Sequence, residues 1–337
     1  MKSNVDQLGL RFRVQKLKEV MFTEERYMSI EQAKIVTRVY REHGDLPRNL
    51  LRALSLKEAL SCIEIRITPG ELIVGNRTTG VRAGVIFPES GLSWVDREIE
   101  GLPTRPQDPF QVRAEDVAEF KSDIFPYWQG KTLEDILDER IGGEMRAIGK
   151  VAKINQTDHA QGHICPDTQR WLTYGPSGLI ELAQAAKREH PQHAEFYDGL
   201  ILSLEGAQIF MRRYAALARE MAKTGEDADE MTEIARVCDA LAQRPPENFR
   251  EAVQASWLLY VILQMESNAS SFSPGRMDQY LYPFYEQDIA SGALTKEDAL
   301  ELIECLFLKF NQIVYLRSSS SAKYFAGFPI GFNVAIG

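Results

Sequence analysis

Apolar residues recur every three to four positions along most of this chain, and the segments they mark read as amphipathic helices. A charged helix is expected over residues 5–20. Ser29-Ile-Glu-Gln32 reads as a capping box opening a second helix that runs to about Glu42. Leu50, Leu51, Leu54, Leu56 and Leu60 then form a broad apolar face behind Pro47, which a first helical turn tolerates. A strand pair is predicted at 63–67 and 71–74, joined by a Pro69-Gly70 turn. Pro and Gly density makes 101–109 an irregular connection, a helix resumes at 115–122, Phe125-Pro-Tyr-Trp128 interrupts it, and Thr132-Leu-Glu-Asp135 starts another. From Leu179 on, the pattern is almost continuously helical: 179–189, 195–224, 228–242, 247–264, 277–289 and 295–315. Pro245-Pro246 separates two of these helices, because a residue before proline is pushed out of helical geometry. The final Gly331-Phe-Asn-Val-Ala-Ile-Gly337 reads as a short strand whose backbone groups need a neighbour, which suggests a chain that continues.

Composition narrows the class. With 337 residues, 44% of them hydrophobic, the chain can bury a large core in one domain or two. A net charge of −9 with mixed signs argues against nucleic acid or an anionic membrane as partner, since both are bound through positive surface. No apolar run reaches the ~18 residues of a membrane span, and the N-terminus lacks the apolar core of a signal peptide, so a cytoplasmic protein is expected. Cys62, Cys165, Cys238 and Cys305 lie far apart with no Cys-x-x-Cys pair, which suits a reducing compartment and offers no zinc or iron–sulfur signature.

Two polar stretches break the helical pattern. In the first, 155–170, His159 and His163 have helical i, i+4 spacing and Cys165 adds a third potential metal ligand. Gly162 and Pro166 weaken the helix that this metal reading needs, so a hydrogen-bonded histidine in or near a pocket is the better reading. In the second, the apolar run 257–263 ends abruptly in Glu266, Ser267, Asn268, Ser270, Ser271 and Ser273. Buried polar atoms need partners. Either this cluster caps its own helix end or it walls a pocket for a hydroxylated small molecule.

Glu266-Ser-Asn-Ala-Ser-Ser followed by Pro274-Gly-Arg-Met-Asp-Gln-Tyr-Leu-Tyr-Pro-Phe-Tyr285 resembles the signature of glycyl radical enzymes, in the branch of B12-independent glycerol and diol dehydratases and other lyases. Gly70-Glu-Leu-Ile-Val-Gly-Asn-Arg-Thr78, Phe87-Pro-Glu89, the 155–163 stretch and Arg317 to Pro329 agree in the same order. The likeness is greatest to pyruvate formate-lyase 2-like members and covers essentially the whole chain. It implies an α/β fold: the mostly helical N-terminal portion of a ten-stranded barrel, incomplete here, with the C-terminal glycyl radical domain absent. It also implies elimination of a group from a small polyol or substituted alcohol after hydrogen-atom abstraction, activation by a separate radical-SAM enzyme, and a homodimer. No bound cofactor is expected, only a glycyl radical formed in a part of the enzyme beyond this chain.

The resemblance assigns residues as well. In the related dehydratases, the His of the matching Gly-His pair and the second serine of the matching Ser-Asn-x-x-Ser stretch contact substrate hydroxyls, which here are His163 and Ser271. Ser270 stands where the glycerol dehydratase has a histidine, which puts glycerol itself in doubt. Asp158 and Gln161 lie in the loop that varies between leaving groups and are expected to tune the substrate; loop stabilisation is the bland alternative. Asp167 and Arg170 read as caps, Arg276 with Asp278 and Arg317 with Lys323 as structural cations, and the run Tyr280, Tyr282, Phe284, Tyr285 as core. The family's radical-carrying cysteine belongs to a Cys-x-Glu loop and its glycine to an Arg-Val-x-Gly-Tyr loop. Neither loop is expected to occur in this chain, nor a Glu two residues after any of its cysteines; both loops are expected downstream. Formate acetyltransferase activity, a non-catalytic scaffold and a metal hydrolase built on His159, His163 and Cys165 are the competing readings.

Overall fold

The computed structural model describes residues 11–149, 151–152, 163–225, 227–268, 271–325 and 333–337. The chain is a mostly helical α/β assembly with short strands, all paired in parallel among the described residues. In order, helix α1 spans Phe12–Thr23, strand β1 Met28–Ser29, α2 Glu31–Glu42 and α3 Arg48–Cys62. Strand β2 is Gly84–Val85, followed by the short helices α4 (Ser93–Glu98), α5 (Ala114–Glu119), α6 (Phe125–Trp128), α7 (Leu133–Arg140) and α8 (Gly143–Gly149). Strand β3 is His163–Ile164, and α9 (Thr168–Glu189), α10 (Ala194–Ala222), α11 (Ala228–Leu241) and α12 (Phe249–Glu266) follow. Strand β4 is Ser271–Phe272; then come α13 (Met277–Ser291), α14 (Lys296–Phe310) and α15 (Ser319–Phe325).

Helix α12 is the axis of the larger core. Its Trp257, Leu258, Tyr260 and Val261 are fully buried, and α9, α11, α13 and α14 pack around it. A hydrophobic helix buried on nearly every side has little amphipathic signal, which is why its sequence reads as a continuous apolar run. A smaller core joins α2, α4, the 120–128 region and Leu102, Phe110, Val314 and Leu316. The extended segment 313–316 lies between the two: Ile313 and Tyr315 enter the larger core, Val314 and Leu316 the smaller. This two-residue alternation overrides the helical reading of 295–315, so α14 stops at Phe310.

Other expectations are corrected in detail. The predicted ladder at 63–67 and 71–74 does not form, although Gly70 makes its turn at φ 88° and the Glu71 N–H donates to the Thr68 carbonyl. Side chains from distant helices take the backbone instead. Gln254 bonds both the N–H and the C=O of Val74 at 2.8 Å, the Trp257 indole donates to the Gly75 carbonyl, and Arg213 donates to the carbonyls of Leu60 and Ile63. Phe125-Pro126 does not break the helix begun at Ala114; a π-helical turn over Phe120–Ile124 absorbs the irregularity, and Pro126 sits in the first turn of α6. Gly175-Pro176 puts a kink inside α9. The capping box at Thr132 and Asp135 is present, whereas Ser29 only accepts from the Glu31 N–H, at 3.3 Å.

Candidate functional site

Strands β3 and β4 bring the two polar stretches together. They pair in parallel with His163 opposite Ser271 and Ile164 opposite Phe272. Residues in register on adjacent parallel strands lie about 4.8 Å apart and project their side chains to the same face. His163 and Ser271 therefore share a face, and the Ser273 N–H continues the ladder by donating to the Ile164 carbonyl at 2.8 Å. His163 is exposed and Ser271 is buried. One residue pair thus offers an exposed imidazole and a buried hydroxyl, both able to donate or accept a hydrogen bond.

The chain beyond β4 closes this corner. Gly275 has φ 65°, and a Cβ there would meet the Cys165 sulfur at 2.7 Å, so the turn needs glycine both for its backbone and for its space. Gly275 also pairs with Val334 in a parallel bridge, donating to the Asn333 carbonyl and accepting from the Ala335 N–H. The terminal segment thereby finds the neighbour its sequence demands.

Behind β3, Thr168 at the start of α9 and Tyr260 of α12 share a hydrogen bond of 3.0 Å between hydroxyls. Burial pushes the Tyr260 phenol up to about 12. The Tyr280 hydroxyl is buried beside it without a hydrogen bond of good geometry, and burial raises its pKa also. Thr168 and Tyr260 escape a sequence reading because they lie 92 positions apart, each within an ordinary helical pattern. Tyr280, Phe284 and Tyr285 pack against the larger core as expected, with the Tyr280 hydroxyl turned toward this buried group, whereas Tyr282 is exposed and leaves that expectation unmet.

At the end of α12, the second polar stretch meets side chains from distant helices. The last carbonyls of α12 are held from outside, Met265 by the Gln32 amide at 2.7 Å and Glu266 by the Arg52 guanidinium at 2.9 Å. Asp167 does cap α9, accepting from the Arg170 N–H at 2.9 Å, and Arg276 grips Asp278 through two 3.0 Å bonds. Asp158, Gln161, Ser270 and His159 lie outside the described residues.

Cys62-Ile63-Glu64 has the Cys-x-Glu form, which corrects the expectation that no such pair occurs here. Its setting is different from the His163–Ser271 corner: Cys62 closes α3, Ile63 is buried in the larger core, and the Glu64 N–H donates to Glu31 of α2. Cys238 and Cys305 are buried, and burial pushes each thiol up to about 12, where a thiolate is scarce. Two clefts of about 420 and 490 Å³ lie elsewhere, lined by charges already paired, such as Arg66 with Glu24 and Arg250 with Glu230.

The pyruvate formate lyase-like family model matches residues 3–337. A probable dehydratase of Escherichia coli is 35% identical over 91% of the chain. The glycerol-bound B12-independent glycerol dehydratase of Clostridium butyricum superposes on 96% of the chain with a TM-score of 0.91 and 32% identity. A glycyl radical enzyme from Archaeoglobus fulgidus does so with a TM-score of 0.90 and 30% identity, again over 96%. The chain spans 40%, 42% and 43% of these proteins, respectively.

Proposed function

Because the chain belongs to the pyruvate formate lyase-like family, we propose that it is the N-terminal portion of an anaerobic glycyl radical lyase or dehydratase acting on a small polyol or substituted alcohol. The observation that carries this reading is the register of β3 and β4, which pairs His163 with Ser271 across two stretches far apart in sequence. In the complete enzyme these two side chains hold substrate hydroxyls. Ser271, buried, accepts from one hydroxyl and donates to a second acceptor, while His163 closes the site from its exposed edge. Asp158, Gln161 and Ser270 tune which neighbouring group is expelled. The radical chemistry, abstraction of a hydrogen atom from the hydroxyl-bearing carbon and its later return, comes from a cysteine and a glycine outside this chain. A radical-SAM activating enzyme, a homodimeric assembly and a cytoplasmic location belong to the same reading.

The test uses the complete, activated enzyme that contains this chain. Ser271→Ala and His163→Asn are each expected to lower turnover of a diol substrate about 100-fold or more, since one misplaced contact in an oriented site costs that much. Circular dichroism and melting temperature should stay near those of the parent. Parental turnover in both variants would overturn the site assignment. Pyruvate-dependent acetyl transfer to coenzyme A in place of diol turnover would move the reading to formate acetyltransferase, and an absence of both activities would favour a scaffold.

A further inference from the structure

We propose that Arg52 is a positioning residue for Ser271, acting through the C-terminal turn of α12. The inference rests on the reading of Ser271 as a substrate contact. The last carbonyls of any helix lack partners within it, so whatever holds them sets where the following residues go. In α12 the Glu266 carbonyl accepts from Arg52 Nη2 at 2.9 Å, and the same nitrogen reaches Glu266 Oε1 at 2.5 Å. Arg52 Nη1 lies 3.5 Å from Glu89 Oε1. One guanidinium therefore ties α3, the Phe87-Pro-Glu89 stretch and the end of α12 into a single node.

The other ends of this node are themselves anchored. The Glu89 carbonyl accepts from the Leu133 N–H at 2.9 Å, which fixes the 87–89 stretch to α7. Gln32 of α2 holds the neighbouring Met265 carbonyl, and the Ser267 N–H donates back to Leu263, so the chain leaves α12 in one direction. Buried Asn268 follows, and Ser271 is reached five residues after Glu266, already committed to its register with His163. Burial opposes the charge on Arg52, but Glu266 and Glu89 outweigh it and hold the guanidinium protonated. A planar fork is what this geometry requires, because it bonds a carbonyl and a carboxylate through one nitrogen while offering the other to Glu89. Lysine keeps the charge but has no fork.

Arg52 thus joins two stretches singled out in the sequence, 87–89 and 266–271. Without it, Glu266 at the end of α12 loses its outer partner and Ser271 loosens against β3. In the complete, activated enzyme, Arg52→Gln is expected to lower kcat/KM for a diol about 10- to 100-fold, with Arg52→Lys in between. Because Arg52 acts through Ser271, the double variant R52Q/S271A should match S271A within about twofold. Additive losses, or parental kinetics in R52Q, would overturn the proposal. An S271A variant with parental kinetics would instead overturn the functional reading of Ser271 and remove the premise. Hydrogen exchange on the 337-residue chain gives a readout that does not depend on turnover. R52Q should lose amide protection at 271–273 while α10 keeps its own, and unchanged protection at 271–273 would refute the positioning role.

Discussion

Glu251 is fully buried near the start of α12, and it is ionised there because its surroundings supply four donors. Arg236 Nη1 and Arg244 Nη1 donate to its oxygens at 2.7 and 2.8 Å, Arg244 Nη2 at 3.2 Å and the Glu247 N–H at 2.9 Å. Burial alone would raise its pKa, but these bonds outweigh it and hold the carboxyl below the usual range. A carboxyl with a lowered folded pKa stabilises the protein above its unfolded value, about 4.3, and loses that contribution as pH falls through the folded value. Glu251→Gln should therefore cost about 2 kcal/mol at pH 7, the scale of a charged hydrogen bond. The gap to the parent should close in acid. Urea unfolding between pH 3 and 7 checks this, and a gap that stays constant down to pH 3 would mean that Glu251 is not ionised through these bonds. At this scale the sequence reveals what is local. The Thr132–Asp135 box and the Asp167 cap can be read because donor and acceptor are three residues apart. Arg52, Gln32 and Gln254 cannot, since their partners lie 214, 233 and 180 positions away.

Helices are the elements that the apolar spacing predicts well, because each helix reports its own buried face. The misplaced elements are those whose backbone is satisfied from outside. Residues 63–74 have strand-like composition around a genuine turn, yet α10 and α12 claim their carbonyls and amides before any ladder can form. If that account is right, Gln254→Leu, which keeps size but removes the amide, should destabilise the protein by about 2–4 kcal/mol by leaving both Val74 backbone groups buried and unpaired. Denaturant titration measures the loss, and hydrogen exchange should place the new weakness at 72–76. A loss under about 0.5 kcal/mol would show that Gln254 does not hold this segment. The β3–β4 pair is the other element that no periodicity announces, since two residues are too few to alternate.

Across the whole molecule, the two cores are coupled by the extended segment 313–316, whose successive side chains enter one and then the other. Arg77 reinforces the seam by donating to the Val314 carbonyl at 2.7 Å, and Lys309 pairs with Glu71 at 2.7 Å in the interior. Such sharing should make unfolding cooperative. Tryptophan fluorescence, dominated in the larger core by Trp171 and Trp257 and in the smaller by Trp94 and Trp128, should report one transition coincident with far-ultraviolet circular dichroism. Two separated transitions would show that the cores are independent. By itself, the sequence determined the helical character of the chain, its family likeness and the two polar stretches that carry the candidate site, because these depend on residue type and short spacing. Tertiary structure alone decided that His163 stands opposite Ser271, that α14 yields to an extended seam, and that Arg52 holds the end of α12. Each of these depends on which distant groups meet when the cores close, and a buried backbone or charge must take the partners that packing brings to it.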